Sequence, residues 1–237
     1  KHDRERALSS VGGIVEKPDF YLYLSAIKNL EIVGALTNGV SRKRIDEVLD
    51  LVGLQSRSKD SVKTYSHGMK QRLGIAQALL ADPELVILDE PTNGLDPQGM
   101  KEVRDLVRHL ARDQKKTIIL SSHLLNEVEM VATRMAVINK GEMVVQGEVQ
   151  TLLDEGEKYV ILKAEPKAMV SAVLRRKKQL LKNFKDRGDA FEVSIDFEKI
   201  PLLAKELVKS GVRIHAIIPR RSLEDFFLSV TEEATPS

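Results

Sequence analysis

The chain has 237 residues, 42% of them hydrophobic and 30% charged, with no Cys and no Trp. That apolar share can bury a core, so wholesale disorder is excluded. The lack of Cys excludes a disulfide scaffold, a thiolate zinc site and a Cys nucleophile. The 37 basic and 35 acidic residues leave a formal charge of +2, which gives no mandate for nucleic acid, and no apolar run approaches the ~18 residues that cross a bilayer.

The first residue is Lys1, not Met, and residues 1–6 read as the interior of a charged helix. We expect a longer parent on that ground. Residues 11–15 form a short β-like run that ends at Glu16, and Pro18 breaks it. Residues 20–38 are mixed and mainly helical in pattern. Ser41 is placed to cap a helix whose face is Ile45, Val48, Leu49 and Val52, with Gly53 to stop it. A further helix is predicted from Gly68 to Ala81, ended by Asp82-Pro83.

The texture then changes. Leu85 to Leu88 is a continuous apolar run, the pattern of a strand covered on both faces in a parallel sheet. A helix at 98–113, a second such strand at Thr117 to Leu120 and a helix at 124–131 follow. Arg134–Asn139 and Glu142–Gln146 read as a hairpin around Lys140-Gly141. Strand and helix alternating at this spacing predict a doubly wound α/β domain, in which ligands sit at the carboxyl ends of strands. Asp89-Glu90 and His123 occupy two such ends.

From residue 157 the pattern restarts as a small α+β unit: a strand at Tyr159 to Leu162, a helix at 166–184 and an alternating strand through Phe191, Val193, Ile195 and Phe197. A helix face of Ile200, Leu203 and Leu207, a strand at Val212 to Ile218 and a final helix from Ser222 complete it.

Several of these residues can carry chemistry. A carboxylate fixed at a strand end can serve Mg²⁺, and its neighbour can orient or deprotonate a water. Alone, Asp89-Glu90 reads first as a strand end running into a solvated turn. Ser66 before a helix is first of all an N-cap, but with Gly68 it also makes an anion cradle at a helix N-terminus. His123 can donate to a phosphate or simply hold its own turn. Asp96 in Gly94-Leu95-Asp96-Pro97 fits an ordinary turn.

Taken in order these segments say more. The string Tyr65-Ser66-His67-Gly68-Met69-Lys70-Gln71-Arg72, then Leu85 to Glu90, Gly94 to Pro97, and Ser121-Ser122-His123, resembles the ATPase subunit of ABC transporters, over about residues 10–150. The Gly-Met-Lys-Gln-Arg portion is similar to the drug, bacitracin and lantibiotic exporters of that superfamily. The resemblance implies a P-loop NTPase core with a helical subdomain at about 18–82, a Walker B core at 83–152 and an accessory α+β domain at 157–237. It implies ATP and Mg²⁺ as ligands. It implies a transmembrane permease and a second ATPase subunit as partners, no nucleic acid, and a place on the cytoplasmic face of the plasma membrane.

The resemblance also carries roles. Ser66, Gly68 and Met69 match the signature loop, which contacts the γ-phosphate of the opposite subunit's ATP. Asp89 matches the Walker B aspartate serving Mg²⁺, Glu90 the catalytic base, Asp96 the D-loop aspartate at the dimer interface, and His123 the switch histidine. Glu16 stands where the family usually has a Gln that reaches Mg²⁺ and senses the membrane subunit. His67 and Met69 depart from the usual Leu-Ser-Gly-Gly-Gln. No Gly-x-x-x-x-Gly-Lys-Ser/Thr occurs in the sequence, so the core is expected to lack its first strands, to leave apolar strand surface exposed, and to be inactive alone. The other function class that fits is a non-catalytic regulator that keeps the dimer surface and binds an ATPase subunit.

Overall fold

The computed structural model describes residues 4–15, 18–36, 39–155 and 158–220, together with Leu223 and Phe227. The chain divides into two compact units, Lys1–Glu127 and Val128–Ser237.

The first unit is built on a three-stranded parallel sheet of β1 (Val11–Ile14), β2 (Leu85–Leu88) and β3 (Thr117–Leu120), in that order. Around it lie α1 (Arg4–Ser9), α2 (Ala26–Leu36), α3 (Arg42–Leu51), α4 (His67–Ala78) and α5 (Pro97–Arg112). The register Gly12–Val86–Ile118 and Ile14–Leu88–Leu120 points one set of side chains to one face. There Val86 and Leu88 are fully buried. Helix α4 lies on this face, because a Cβ on Gly12 would stand 2.0 Å from the Ala78 carbonyl oxygen and a Cβ on Gly74 3.1 Å from Ile14 Cδ1. The opposite face departs from the expectation of a strand covered on both sides. Ile87 is 39% and Ile119 54% exposed, and they stand in register with each other.

Local signals set the helix ends. Ser41 Oγ accepts from Arg44 N–H at 3.2 Å and caps α3, whose buried face is Ile45, Val48 and Leu49. Gly53 at φ +69° and a Leu54 N–H bond to the Leu49 carbonyl at 2.8 Å close that helix. The segment before α2 is not helical. The buried Asn29 accepts from Tyr21 N–H at 2.8 Å and donates to the carbonyls of Tyr21 and Ser25, so a side chain takes the backbone bonds that a helix would need.

Asp82, at φ +53°, ties three segments together. It accepts from Lys116 Nζ at 2.8 Å and Arg44 Nη2 at 3.0 Å, while Arg44 also donates to the Leu79 carbonyl at the end of α4. The Lys116 bond, aided by Arg44, holds the Asp82 carboxyl below the usual carboxylate range. A carboxyl lowered by folding stabilises the folded state above its unfolded pKa and loses that contribution as pH falls through its folded pKa. Asp82→Asn is therefore expected to lower the melting temperature by roughly a few °C at neutral pH. The gap from the parent should shrink to nothing as the pH drops below about 4, read by thermal melts across pH.

In the second unit, β4 (Arg134–Asn139) and β5 (Glu142–Glu148) form the expected antiparallel hairpin, followed by α7 (Val149–Glu155), which the sequence pattern did not signal. It is reached from the first unit through α6 (Leu125–Val131). Then come β6 (Tyr159–Glu165), α8 (Lys167–Arg176), β7 (Asn183–Asp186), β8 (Phe191–Ser194), α9 (Ile200–Lys209) and β9 (Arg213–Arg220). This β-α-β-β-α-β run closes one antiparallel sheet of order β7-β8-β6-β9, the ferredoxin-like plait. Its core contains Val160, Leu162, Val170, Leu174, Phe191 and Leu207. The helix expected over 166–184 ends at Arg176, and residues 183–186 pair with β8 instead. Phe184 packs on the core from β7, and Asp186 Oδ1 accepts from Gly188 N–H at 2.9 Å to make the turn into β8, so long-range pairing overrides the helical pattern. The final helix expected from Ser222 falls largely outside the described residues, as do residues 1–3.

Candidate functional site

Two clusters form, each where a strand or loop delivers a helix start or a strand end. The first lies at the carboxyl ends of β2 and β3. Parallel pairing of Leu88 with Leu120 brings Asp89 and Glu90 beside Ser121, and Ser121 N–H donates to the Leu88 carbonyl at 3.0 Å. The Ser121 hydroxyl donates to Asp89 Oδ1, while its oxygen accepts from Glu90 N–H at 2.9 Å. Glu90 stands at φ +47°, in the left-handed region that a glutamate occupies only at a cost.

That turn aims the Glu90 carboxylate at His123. His123 N–H donates to Glu90 Oε1 at 3.1 Å, and Nδ1 is 2.9 Å from both carboxylate oxygens. Since an ionised carboxylate only accepts, Nδ1 carries the proton and Nε2 is the ring atom turned to other partners. The Glu90 side chain is 29% exposed and that of His123 61%, so the pair lies at the surface and within reach of a ligand. The segment after His123 is anchored by a largely buried ion pair, Arg104 Nη1 to Glu127 Oε1 at 3.0 Å, which ties the start of α6 to α5.

The second cluster joins the starts of α4 and α5. Ser66 is the N-cap of α4, its Oγ accepting from Met69 N–H at 3.2 Å, and it remains exposed. Tyr65 before it is buried and donates its hydroxyl to the Arg57 carbonyl at 2.7 Å, and burial pushes that hydroxyl above the ordinary tyrosine range. Asp96 caps α5, with Oδ1 accepting from Gly99 N–H at 2.9 Å and Pro97 at the first helical position. A Cβ on Gly68 would meet Gly99 Cα at 3.6 Å, and one on Gly94 would meet His67 Nε2 at 3.8 Å, so the two helix starts lie side by side.

The structure thus gathers Asp89, Glu90 and His123 in one place and Ser66, Gly68, Met69 and Asp96 in another. Glu16 lies outside the described residues. Ser121, which the sequence names only within Ser121-Ser122-His123 and to which it assigns no role, is the bridge between Asp89 and Glu90.

The profile of the ABC transporter family matches residues 2–93. An uncharacterized ABC transporter ATP-binding protein of Bacillus subtilis, YhcH, is 41% identical over 230 residues, 96% of this chain and 73% of that protein. The chain belongs to the ABC transporter ATP-binding proteins. The bacitracin transport ATP-binding protein BcrA of Bacillus licheniformis is 36% identical over 96% of this chain and 75% of its own length. Among solved structures, CbiO1 of Clostridium perfringens, part of the ABC transporter complex CbiONQ, is similar at 26% identity and a TM-score of 0.59, covering 76% of this chain and 70% of that one. ABC ATPases bind ATP and couple its hydrolysis to transport, and this chain is an ATPase subunit of that family with the P-loop NTPase fold.

The first cluster suits a magnesium nucleotide better than a resident metal. Among the described residues no group of three or more His, Asp or Glu converges to hold an ion. Mg²⁺ needs only one or two protein carboxylates when phosphate oxygens and water complete its shell. Asp89, with one oxygen engaged by Ser121, still has its second oxygen to offer. Among the described residues no helix is long and apolar enough to cross a membrane.

Proposed function

We propose that this chain is the energy-coupling ATPase of an exporter and that Asp89, Glu90 and His123 form its hydrolytic centre. The observation that carries this reading is the Glu90–His123 pair, held at 2.9 Å by a left-handed turn at the end of β2. Asp89 would hold Mg²⁺, which neutralises phosphate charge when bound. Glu90, its carboxylate oriented by His123 Nδ1–H and the His123 backbone N–H, orients the attacking water and accepts its proton. His123, with both ring nitrogens protonated, donates Nδ1–H to Glu90 and Nε2–H to the γ-phosphate. Residues Ser66, Gly68 and Met69, at the exposed N-terminus of α4, cap the γ-phosphate of a nucleotide bound by a second ATPase subunit. Asp96, beside them, lines that interface, and Glu16 senses the membrane partner.

The partners in this reading are a transmembrane permease and a second copy or homologue of the ATPase, at the cytoplasmic face of the membrane, with no nucleic acid. The likeness to a bacitracin transport protein supports an antimicrobial peptide or drug as cargo. We assign residues 1–152 to the ATPase and 157–237 to an accessory domain, which the separate core of the plait supports. None of the 237 residues is assigned the lysine phosphate-loop role, since no such loop occurs in them.

The test is His123→Ala in a preparation that hydrolyses ATP. We expect turnover to fall by roughly tenfold or more. The melting temperature should hold, because the ring is largely exposed. Turnover within twofold of the parent removes His123 from the centre.

A further inference from the structure

Between Lys158 and Arg220 stand 15 lysines and arginines against 7 aspartates and glutamates, whereas the whole chain has 37 against 35. The excess charge of the chain is therefore concentrated in the ferredoxin-like plait, and the sign asymmetry points to an anionic partner surface. Within the plait the acids are unevenly spread. On the sheet and its loops, Asp189 pairs with Lys163, Glu192 with Lys185 and Arg187, Glu165 with Arg213, and Asp196 with Lys199.

The helix side is different. There the ends of α8 and α9 meet: Lys177 Nζ lies 2.5 Å from Glu206 Oε2, Lys209 Nζ 4.0 Å from Glu206 Oε1, and Arg176 Nη2 donates to Ser210 Oγ at 3.2 Å. One carboxylate, Glu206, lies near Lys177, Lys209 and Arg176, and the same two helices add Arg175, Lys178 and Lys205. Of these six all but Lys177 are exposed, and among the described residues Arg175, Lys178 and Lys205 have no acidic partner. The negative ends of two helix dipoles account for a cation or two in each last turn. They do not account for Lys178, beyond the end of α8, or for Lys205, in the middle of α9.

Exposed apolar side chains share this surface. Val208 is 61%, Leu202 46% and Met169 40% exposed. Leu202, Lys205 and Lys209 recur at i, i+3 and i+7, one stripe of α9. The Met169 methyl lies 3.4 Å from where a Cβ on Gly211 would be, just past the end of α9. Cations interleaved with aliphatic and thioether side chains match a bilayer interface, where headgroup charge and shallow apolar contact act together. Single-stranded nucleic acid is instead gripped by aromatic stacking platforms, and among the described residues no exposed aromatic side chain belongs to this face.

We propose that the helix side of the plait, where α8 and α9 end together, is a docking surface for the anionic headgroups of a lipid bilayer. Arg175, Arg176, Lys178, Lys205 and Lys209 supply the charge, and Val208 and Met169 reach the interface.

The experiment is co-flotation of the full 237-residue chain, without nucleotide, with vesicles of phosphatidylcholine alone or with about one-third phosphatidylglycerol. Binding should be at least roughly tenfold stronger with phosphatidylglycerol and should be lost between about 50 mM and 500 mM salt. The combined variant R175Q/K178Q/K205Q/K209Q, which spares the Lys177–Glu206 and Arg176–Ser210 contacts, should lose roughly tenfold or more in binding while melting like the parent. A charge-neutralised sheet-face variant, K163Q/K185Q, should bind within about twofold of the parent, since those cations are already paired. Equal binding to both vesicle types overturns the proposal. So does full binding by the four-site variant, or tighter retention on a single-stranded oligonucleotide than on phosphatidylglycerol vesicles at equal phosphate, which would make the face a nucleic-acid surface.

Discussion

In a preparation that hydrolyses ATP, Glu90→Gln is expected to lower turnover by roughly 10² to 10⁴-fold while nucleotide binding persists. The substitution keeps the length and shape of the side chain and an acceptor oxygen for His123 N–H, now 3.1 Å from Glu90 Oε1. It removes the charge that accepts a proton from water. It also sets an amide NH₂ or a weakened acceptor against His123 Nδ1, which sits 2.9 Å from both carboxylate oxygens. The left-handed backbone at φ +47° is no easier for Gln than for Glu, so stability should change little. Single-turnover phosphate release with parallel nucleotide-binding measurements separates the two effects. Phosphate release within twofold of the parent would show that another group activates the water.

The second large effect is expected in stability. Gly12→Ala should destabilise the first unit by roughly 3 kcal/mol or more, or prevent its folding. The added Cβ would stand 2.0 Å from the Ala78 carbonyl oxygen and 2.8 Å from Pro83 Cγ. The first of these is backbone at the end of α4, pinned by Arg44 through the Leu79 carbonyl and Asp82. It cannot rotate away as a long side chain would, so either β1 leaves β2 or α4 lifts from the sheet. Gly141→Ala is the comparison. Gly141 sits at φ +84° in the hairpin with nothing within 4 Å of its added Cβ, so only the backbone preference is lost, about 1 kcal/mol. Urea unfolding of the two variants should rank them in that order. A Gly12→Ala chain as stable as Gly141→Ala would contradict the close packing of α4 on β1.

How far the sequence reached differs by element. The caps at Ser41 and Ser66 were legible because each is a short-range bond, Ser41 to Arg44 and Ser66 to Met69, whereas Asp96, read as a turn residue, caps α5 through Gly99. The apolar runs at 85–88 and 117–120 were legible as parallel strands for the same reason, since four β-branched and aliphatic residues in a row leave little else. Asn29 was not legible, because its three bonds replace backbone bonds in the loop before α2 that the apolar pattern alone would make helical. Nor was β7, whose residues look like the tail of α8 until β8 is there to pair with them.

For the candidate site, sequence alone determined which residues are present and in what order: a carboxylate pair after one strand, a serine pair and a histidine after the next, a capped helix start at Ser66 and a turn at Asp96. Only the tertiary structure decided what those residues do to each other. Ser121 meets Asp89 and Glu90, and Glu90 meets His123, across 31 to 33 residues of chain. The pairing of Leu88 with Leu120 sets that meeting, and no local pattern encodes it. The left-handed turn at Glu90 is of the same kind. Its energy is unfavourable locally and is offset by bonds that exist only when β2 and β3 lie side by side.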